Sequence, residues 1–220
     1  MAVDGPSGSG KSSASRGVAR ALGLRYLDTG AMYRALTWWL MAVSADTADT
    51  ELVGSLAAEP AIEVSTDPDD PWTRVNGTDV SLGIRTREVS AQVSAVASVP
   101  AVRQHLIAQQ RAIIRAAPGG IVAEGRDIGT VVAPEAPLKV FLTADSGARA
   151  ERRAAEQGAA VDVTEADQAR RDRLDAAQSA KAADAVLIDT TGLTLAAVID
   201  AITGLARERA PLAWAGDNSS

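Results

Sequence analysis

Residues Gly5-Pro6-Ser7-Gly8-Ser9-Gly10-Lys11-Ser12 fit the spacing G-x-x-x-x-G-K-[ST]. That spacing gathers backbone N–H groups, one ammonium and one hydroxyl around a polyphosphate. The glycines let the chain turn its amides inward, which a Cβ would hinder. The flanks suit the motif: Ala2-Val3-Asp4 reads as the end of a buried strand, and Lys11 to Leu22 carries apolar residues at Ala14, Val18, Ala21 and Leu22 with helical spacing. In such a strand–loop–helix the amides and the positive end of the helix dipole hold a nucleoside triphosphate. Lys11 is expected to neutralise the β and γ oxygens and Ser12 to ligate Mg²⁺, with the donor site running from Gly5 through Ser13. Only Met1 to Asp4 precede the loop; a central strand usually has about five or six residues, so residues are expected to be missing ahead of Met1.

The elements that must position this loop follow an alternating pattern. Gly23 is a natural helix stop, Leu24 to Leu27 reads as a short buried strand, Asp28-Thr29-Gly30 as a polar turn, and Ala31 to Val43 as a helix with Ala35, Leu36, Trp39, Leu40 and Val43 on one face. Further short apolar runs stand at Ile121–Ala123, Leu138–Leu142 and Val186–Ile188. Together they predict an α/β fold, a doubly wound five-stranded parallel sheet. Ligands in such sheets bind beyond the carboxyl ends of the strands, so Asp28-Thr29-Gly30 is expected beside the phosphate loop.

Two stretches break the alternation. Residues 61–66 alternate, and Trp72–Val75 meets Thr78–Val80 across Asn76-Gly77, a type I′ hairpin signal. The spacing predicts a small antiparallel insertion over 59–97, ending in a helix to about Ala97. A long helix then runs from Pro100 to about Ala116 with Val102, Leu106, Ile113 and Ile114 in its stripe. The second stretch, 146–179, reads as a helical lid: Arg149, Arg152 and Arg153 share one helix face, and Thr164-Glu165-Ala166-Asp167 resembles a capping box ahead of Arg170, Arg171 and Arg173. A solvated basic face accounts for those arginines as well as nucleotide binding does. The core is then 1–58, 98–145 and 180–210, with a disordered tail over 211–220. Trp38 and Trp39 read as core and surface residues of one helix, Trp72 as an anchor of the insertion, and His105 as a surface or packing histidine.

Composition narrows the chemistry. With no cysteine and one histidine among 220 residues, thiolate catalysis, thiolate metal sites and histidine triads are excluded, and any metal is held by oxygens. A net charge of −6 argues against nucleic acid as partner. There is neither an apolar run long enough for a membrane span nor a signal peptide, so the expected location is cytoplasmic, and the expected state a monomer. Only Lys11, Lys139 and Lys181 are lysines; the arginine excess suits bidentate phosphate binding, although a compositional bias explains it equally well. A phosphate loop alone serves a kinase, a GTPase switch, a transporter ATPase or a motor. No asparagine precedes a lysine, so the guanine-reading Asn-Lys-x-Asp is absent, as is a Ser-Gly-Gly signature. Phosphoryl transfer to a small acceptor fits what remains.

Four blocks, Asp4-Gly5-Pro6-Ser7-Gly8-Ser9-Gly10-Lys11, Asp28-Thr29-Gly30-Ala31-Met32-Tyr33-Arg34, Ile84-Arg85-Thr86-Arg87-Glu88-Val89 and Gly125-Arg126-Asp127-Ile128-Gly129-Thr130-Val131-Val132, stand in the order and spacing of the bacterial cytidylate kinases. The chain resembles that family over essentially its whole length. The resemblance implies the P-loop nucleoside monophosphate kinase fold, with the insertion as acceptor-nucleotide site and a helical lid, ATP as donor, Mg²⁺, and CMP or dCMP as acceptor. It implies that Lys11, Arg126 and Arg171 are catalytic, and that Arg149 and Arg153 contact ATP. It puts Thr29 and Arg34 near the acceptor ribose and phosphate, Arg126 on that phosphate, Ser94, Arg103 and Asp127 on cytosine, Arg171 on the transferring phosphates and Asp175 on the acceptor sugar. Cytosine's amine is a donor and its N3 and O2 are acceptors, which a carboxylate, a hydroxyl and a guanidinium match. One departure stands out: Gln178 occupies the place of a family arginine and the following Pro-Leu segment is absent, which suggests residues missing there or one phosphate ligand lost. A kinase for UMP, AMP or shikimate, and a non-catalytic nucleotide-binding module, are the alternatives.

Overall fold

Short apolar runs that end in polar residues become the strands of a single sheet. The computed structural model describes residues 1–157, 169–170, 172–175 and 179–209, with backbone alone at 153, 156 and 157. The chain divides into two compact units, Met1–Tyr26 with Ala117–Ser220, and Leu27–Ala116.

In the first unit, β1 (Ala2–Asp4), β6 (Ile121–Gly125), β7 (Lys139–Thr143) and β8 (Val186–Asp189) belong to a five-stranded sheet ordered β2-β6-β1-β7-β8. The remaining strand, β2 (Arg25–Asp28), spans the boundary between the units. β1 pairs in parallel with β6 (Val3 opposite Glu124) and with β7 (Val3 opposite Val140), and β7 pairs in parallel with β8. All three β1 residues are buried, as a central strand covered on both faces requires. Helix α1 (Lys11–Leu22) ends at Gly23, whose φ of 65° makes the left-handed cap expected of it. α1 packs on α7 (Leu195–Arg209) so closely that a Cβ on Gly17 would lie 2.2 Å from Ile199 Cδ1. Val3, Val18, Val122, Val140, Leu142 and Ile202 lie at the centre of this core. Helix α6 (Ser146–Gln157) follows β7.

The second unit holds α2 (Thr29–Ala42), α3 (Thr50–Leu56), an antiparallel sheet ordered β3-β4-β5 (Ile62–Val64, Thr73–Val75, Thr78–Asp79), α4 (Arg87–Ser98) and α5 (Pro100–Ala116). Asn76 and Gly77 both have positive φ, 51° and 79°, as the predicted hairpin turn demands. Val75, Val80 and Ile84 pack with Ala31 and Ala35, and the half-buried Trp38 and Trp39 both lie against this cluster. The Arg74 guanidinium sits 4.4 Å above the Trp72 ring.

Two local expectations change. Asp28-Thr29-Gly30 is not a free turn: Asp28 Oδ1 accepts the Ala31 N–H at 2.9 Å and caps α2, whose first residues are Thr29 and Gly30. The short helix α3 was not foreseen. Asp49 caps it at both Glu51 and Leu52 N–H, yet Val53 is its one buried residue, so no apolar period announces it.

Candidate functional site

The first unit carries the phosphate loop, and its backbone explains the glycines. At Gly5 φ is 149° and a Cβ would stand 2.1 Å from the Leu142 carbonyl oxygen, so no side chain fits. Gly8 and Gly10 also have positive φ, 76° and 83°. Gly10 caps α1 without a side-chain bond, and no acidic residue lies in the first turn, so the positive end of the helix faces the loop uncompensated by a carboxylate of its own. Lys11 Nζ donates to Pro6 O at 2.8 Å across the loop. Ser12 and Ser13 are exposed on that first turn. Ser12 offers the hydroxyl oxygen a hard cation prefers, and among the described residues no group of three or more acidic or histidine side chains gathers to hold a metal.

Three arginines reach the loop or its neighbours. Arg126 donates to Gly5 O at 2.8 Å and to Asp175 Oδ2 at 2.8 Å. Arg149 donates to Ser7 O at 3.2 Å and to Asp172 Oδ2 at 2.7 Å. Arg152 instead ties down the end of β8, donating to Thr190 Oγ1 at 2.9 Å and Thr190 O at 2.6 Å. The Thr190 hydroxyl in turn lies 3.1 Å from both Ser9 O and Thr143 O, joining two strand ends to the loop.

Asp4 was not singled out by the sequence as a site residue, and it organises the first unit's site. Its carboxylate accepts the Ile128 N–H at 2.8 Å and the Gly129 N–H at 2.7 Å, pinning the segment just after Arg126-Asp127 to the end of β1. Burial pushes the Asp4 pKa up; the two N–H bonds oppose that, Asp127 adds to it and Lys11 opposes it. Gly129 is needed for the approach, since a Cβ there would meet Lys139 Cδ at 3.1 Å and Asp4 Oδ2 at 3.3 Å. Asp127 itself is buried.

The second unit holds the other candidates. Arg34, on the second turn of α2, donates through Nη1 to Ser90 Oγ at 2.8 Å and to Ile84 O at 3.3 Å. Thr29 and Ser94 are buried, and Arg103 is half-buried on α5. Arg85 lies 3.4 Å from Asp28 Oδ2. The structure thus brings Lys11, Arg126, Arg149 and Asp175 around one loop, and places Thr29, Arg34, Ser94 and Arg103 in the other unit. Arg171 and Gln178 lie outside the described residues, as do the Arg153 side chain, the Thr164–Asp167 box and the 211–220 tail. Besides Asp4, the sequence reading passed over Ser90, Asp172 and Thr190. An aspartate ending the strand before a phosphate loop is the only one of these with a local signal.

A phosphate loop between a central parallel strand and a helix, with two arginines bonded to its carbonyls, marks a P-loop phosphotransferase. The chain belongs to the cytidylate kinase family, whose model matches residues 1–208. It is 49% identical to the cytidylate kinase of Streptomyces avermitilis, over 95% of this chain and 93% of that protein. Against the cytidylate kinase of Streptomyces griseus it is 51% identical, over 93% and 91%. The cytidylate kinase of Mycolicibacterium paratuberculosis is 48% identical over 97% of each chain.

Proposed function

We propose that the protein transfers the γ-phosphoryl group of ATP to CMP and dCMP, giving ADP with CDP or dCDP. Family membership supports this reading, and the observation that carries it is the phosphate loop with Arg126 and Arg149 both bonded to its carbonyls. An acceptor phosphate oxygen forms the new P–O bond while the bond from γ phosphorus to the β-bridging oxygen breaks, its electrons leaving with ADP. The nucleophile is already an anion, so no general base is required. Catalysis is then the neutralisation and alignment of two polyanions.

Lys11 and Arg126 lie against the phosphate loop's own carbonyls, positions suited to the transferring group and the acceptor phosphate, and Arg149 suits ATP. Mg²⁺, held at Ser12, would supply charge neutralisation on the donor phosphates. Arg34 and Thr29 take the acceptor's phosphate and ribose, Ser94, Arg103 and Asp127 read cytosine, and Asp175 meets the acceptor sugar. Asp175 spends its carboxylate on Arg126 in this structure, and that pair would exchange for nucleotide contacts. The Arg171 and Arg153 roles rest on the family resemblance alone, whereas the 59–97 insertion and the 146–179 lid rest on the sequence pattern as well, the resemblance making the insertion the acceptor-nucleotide site. Among the described residues no helix is long and apolar enough to cross a membrane, and the reading places the enzyme in the cytoplasm as a monomer.

ADP release measured with CMP, dCMP, UMP, AMP and GMP side by side tests the reading. Acceleration by the cytosine nucleotides, lost in Lys11→Ala, is expected. ATP turnover indifferent to CMP and dCMP, or wild-type CMP phosphorylation by Lys11→Ala, refutes it.

A further inference from the structure

We propose that Ser90 is a positioning residue for the acceptor phosphate, acting by fixing the guanidinium of Arg34; the inference rests on the reading of Arg34 as a ligand of that phosphate. Ser90 lies on the buried face of α4, between Val89 and Val93, and is only 8% exposed. A hydroxyl on such a face needs a polar partner, and Arg34 Nη1 supplies it at 2.8 Å. The same nitrogen also donates to Ile84 O, at 3.3 Å. A guanidinium is planar, so two acceptors on one terminal nitrogen fix both its plane and its rotation.

The chemistry of these two acceptors matters. Arg126 and Arg149 are each gripped by an aspartate, at 2.8 and 2.7 Å. Ser90 Oγ and Ile84 O are neutral acceptors, so these two bonds orient the Arg34 guanidinium without setting a carboxylate against it themselves. Preorganisation of this kind lowers the entropy lost when the ligand binds. Ser94, the cytosine-reading candidate, stands one turn further along the same buried face. Four residues of helix rise by about 6 Å, so α4 presents two hydroxyls in a row, one serving the phosphate through Arg34 and one the base. A nucleoside monophosphate lying along α4 matches that order.

The test compares steady-state kinetics of wild type, Ser90→Ala, Ser90→Thr, Arg34→Ala and the Arg34→Ala/Ser90→Ala double variant, with melting temperatures alongside. Ser90→Ala is expected to raise KM for CMP about three- to tenfold, the net worth of one ordinary hydrogen bond felt through Arg34, with kcat and KM for ATP unchanged. Ser90→Thr keeps the hydroxyl and is expected to restore KM. In the Arg34→Ala background the Ser90 change is expected to add nothing. If Ser90→Ala does not fold, Ser90→Cys, close in size and a poor acceptor, carries the same expectation. An unchanged KM for CMP in Ser90→Ala while Arg34→Ala raises it overturns the Ser90 inference and leaves the Arg34 reading standing. So does a general loss in kcat and both KM values, or a failure of threonine to rescue. An Arg34→Ala protein with unchanged KM for CMP overturns both.

Discussion

Replacing Asp4 with asparagine keeps the shape of the side chain and turns one of its two acceptor oxygens into a donor. In the wild type both oxygens are engaged, by Ile128 N–H at 2.8 Å and Gly129 N–H at 2.7 Å. In the variant one of those buried amides faces an NH₂ group, and an unsatisfied buried donor costs about 1–3 kcal/mol. Taking about 2 kcal/mol as the centre, and about 2–4 °C per kcal/mol for a chain of this size, the melting temperature is expected to fall by about 4–8 °C.

The pH dependence gives a second handle. The folded pKa of Asp4 is raised by burial, so around and above the ordinary carboxylate value the native state holds a proton that the unfolded chain has released. The carboxyl's contribution is therefore fully present below about 3.8 and declines as pH rises through the raised folded value. The gap between wild type and Asp4→Asn is expected to narrow with rising pH. Because Ile128 and Gly129 directly follow Arg126 and Asp127, the same variant shifts a guanidinium that must be placed closely, and kcat is expected to drop by about 10- to 100-fold. Urea denaturation midpoints at several pH values, with initial rates of ADP release, measure all three. Equal stability of the two proteins, or a gap that widens with pH, refutes the reasoning.

Gly5→Ala drives a methyl group toward the Leu142 carbonyl, where an ideal Cβ lies at 2.1 Å, at a φ of 149°; overpacking and backbone strain together are expected to cost about 2–6 kcal/mol by denaturant titration. Tyr26→Phe removes the hydroxyl that donates to the buried Glu124 carboxylate, and a loss of about 1–3 kcal/mol is expected by thermal scanning, independent of nucleotide. Chelating Mg²⁺ with EDTA is expected to abolish CMP-dependent ADP release, and Ser12→Ala to raise the Mg²⁺ concentration needed for half-maximal rate, read from a metal titration.

The phosphate loop, the strand ends and the Asn76-Gly77 hairpin were legible in the chain because each is a local pattern. A loop of glycines before a lysine, or two residues that tolerate positive φ between alternating runs, states its own geometry. The bonds that hold the site in place were not legible, because they join residues distant in sequence. Asp4 meets Ile128 across 124 positions, Arg149 meets Ser7 across 142, and Arg34 meets Ser90 across 56. Composition and spacing named the cations that suit phosphate; the tertiary structure alone decided that Arg152 clamps the end of a strand while Arg126 and Arg149 lie on the loop. Hydrogen bonding reaches only about 3 Å, so which of many similar arginines acquires a role is settled by the packing of sheet and helices that brings its partners within that range.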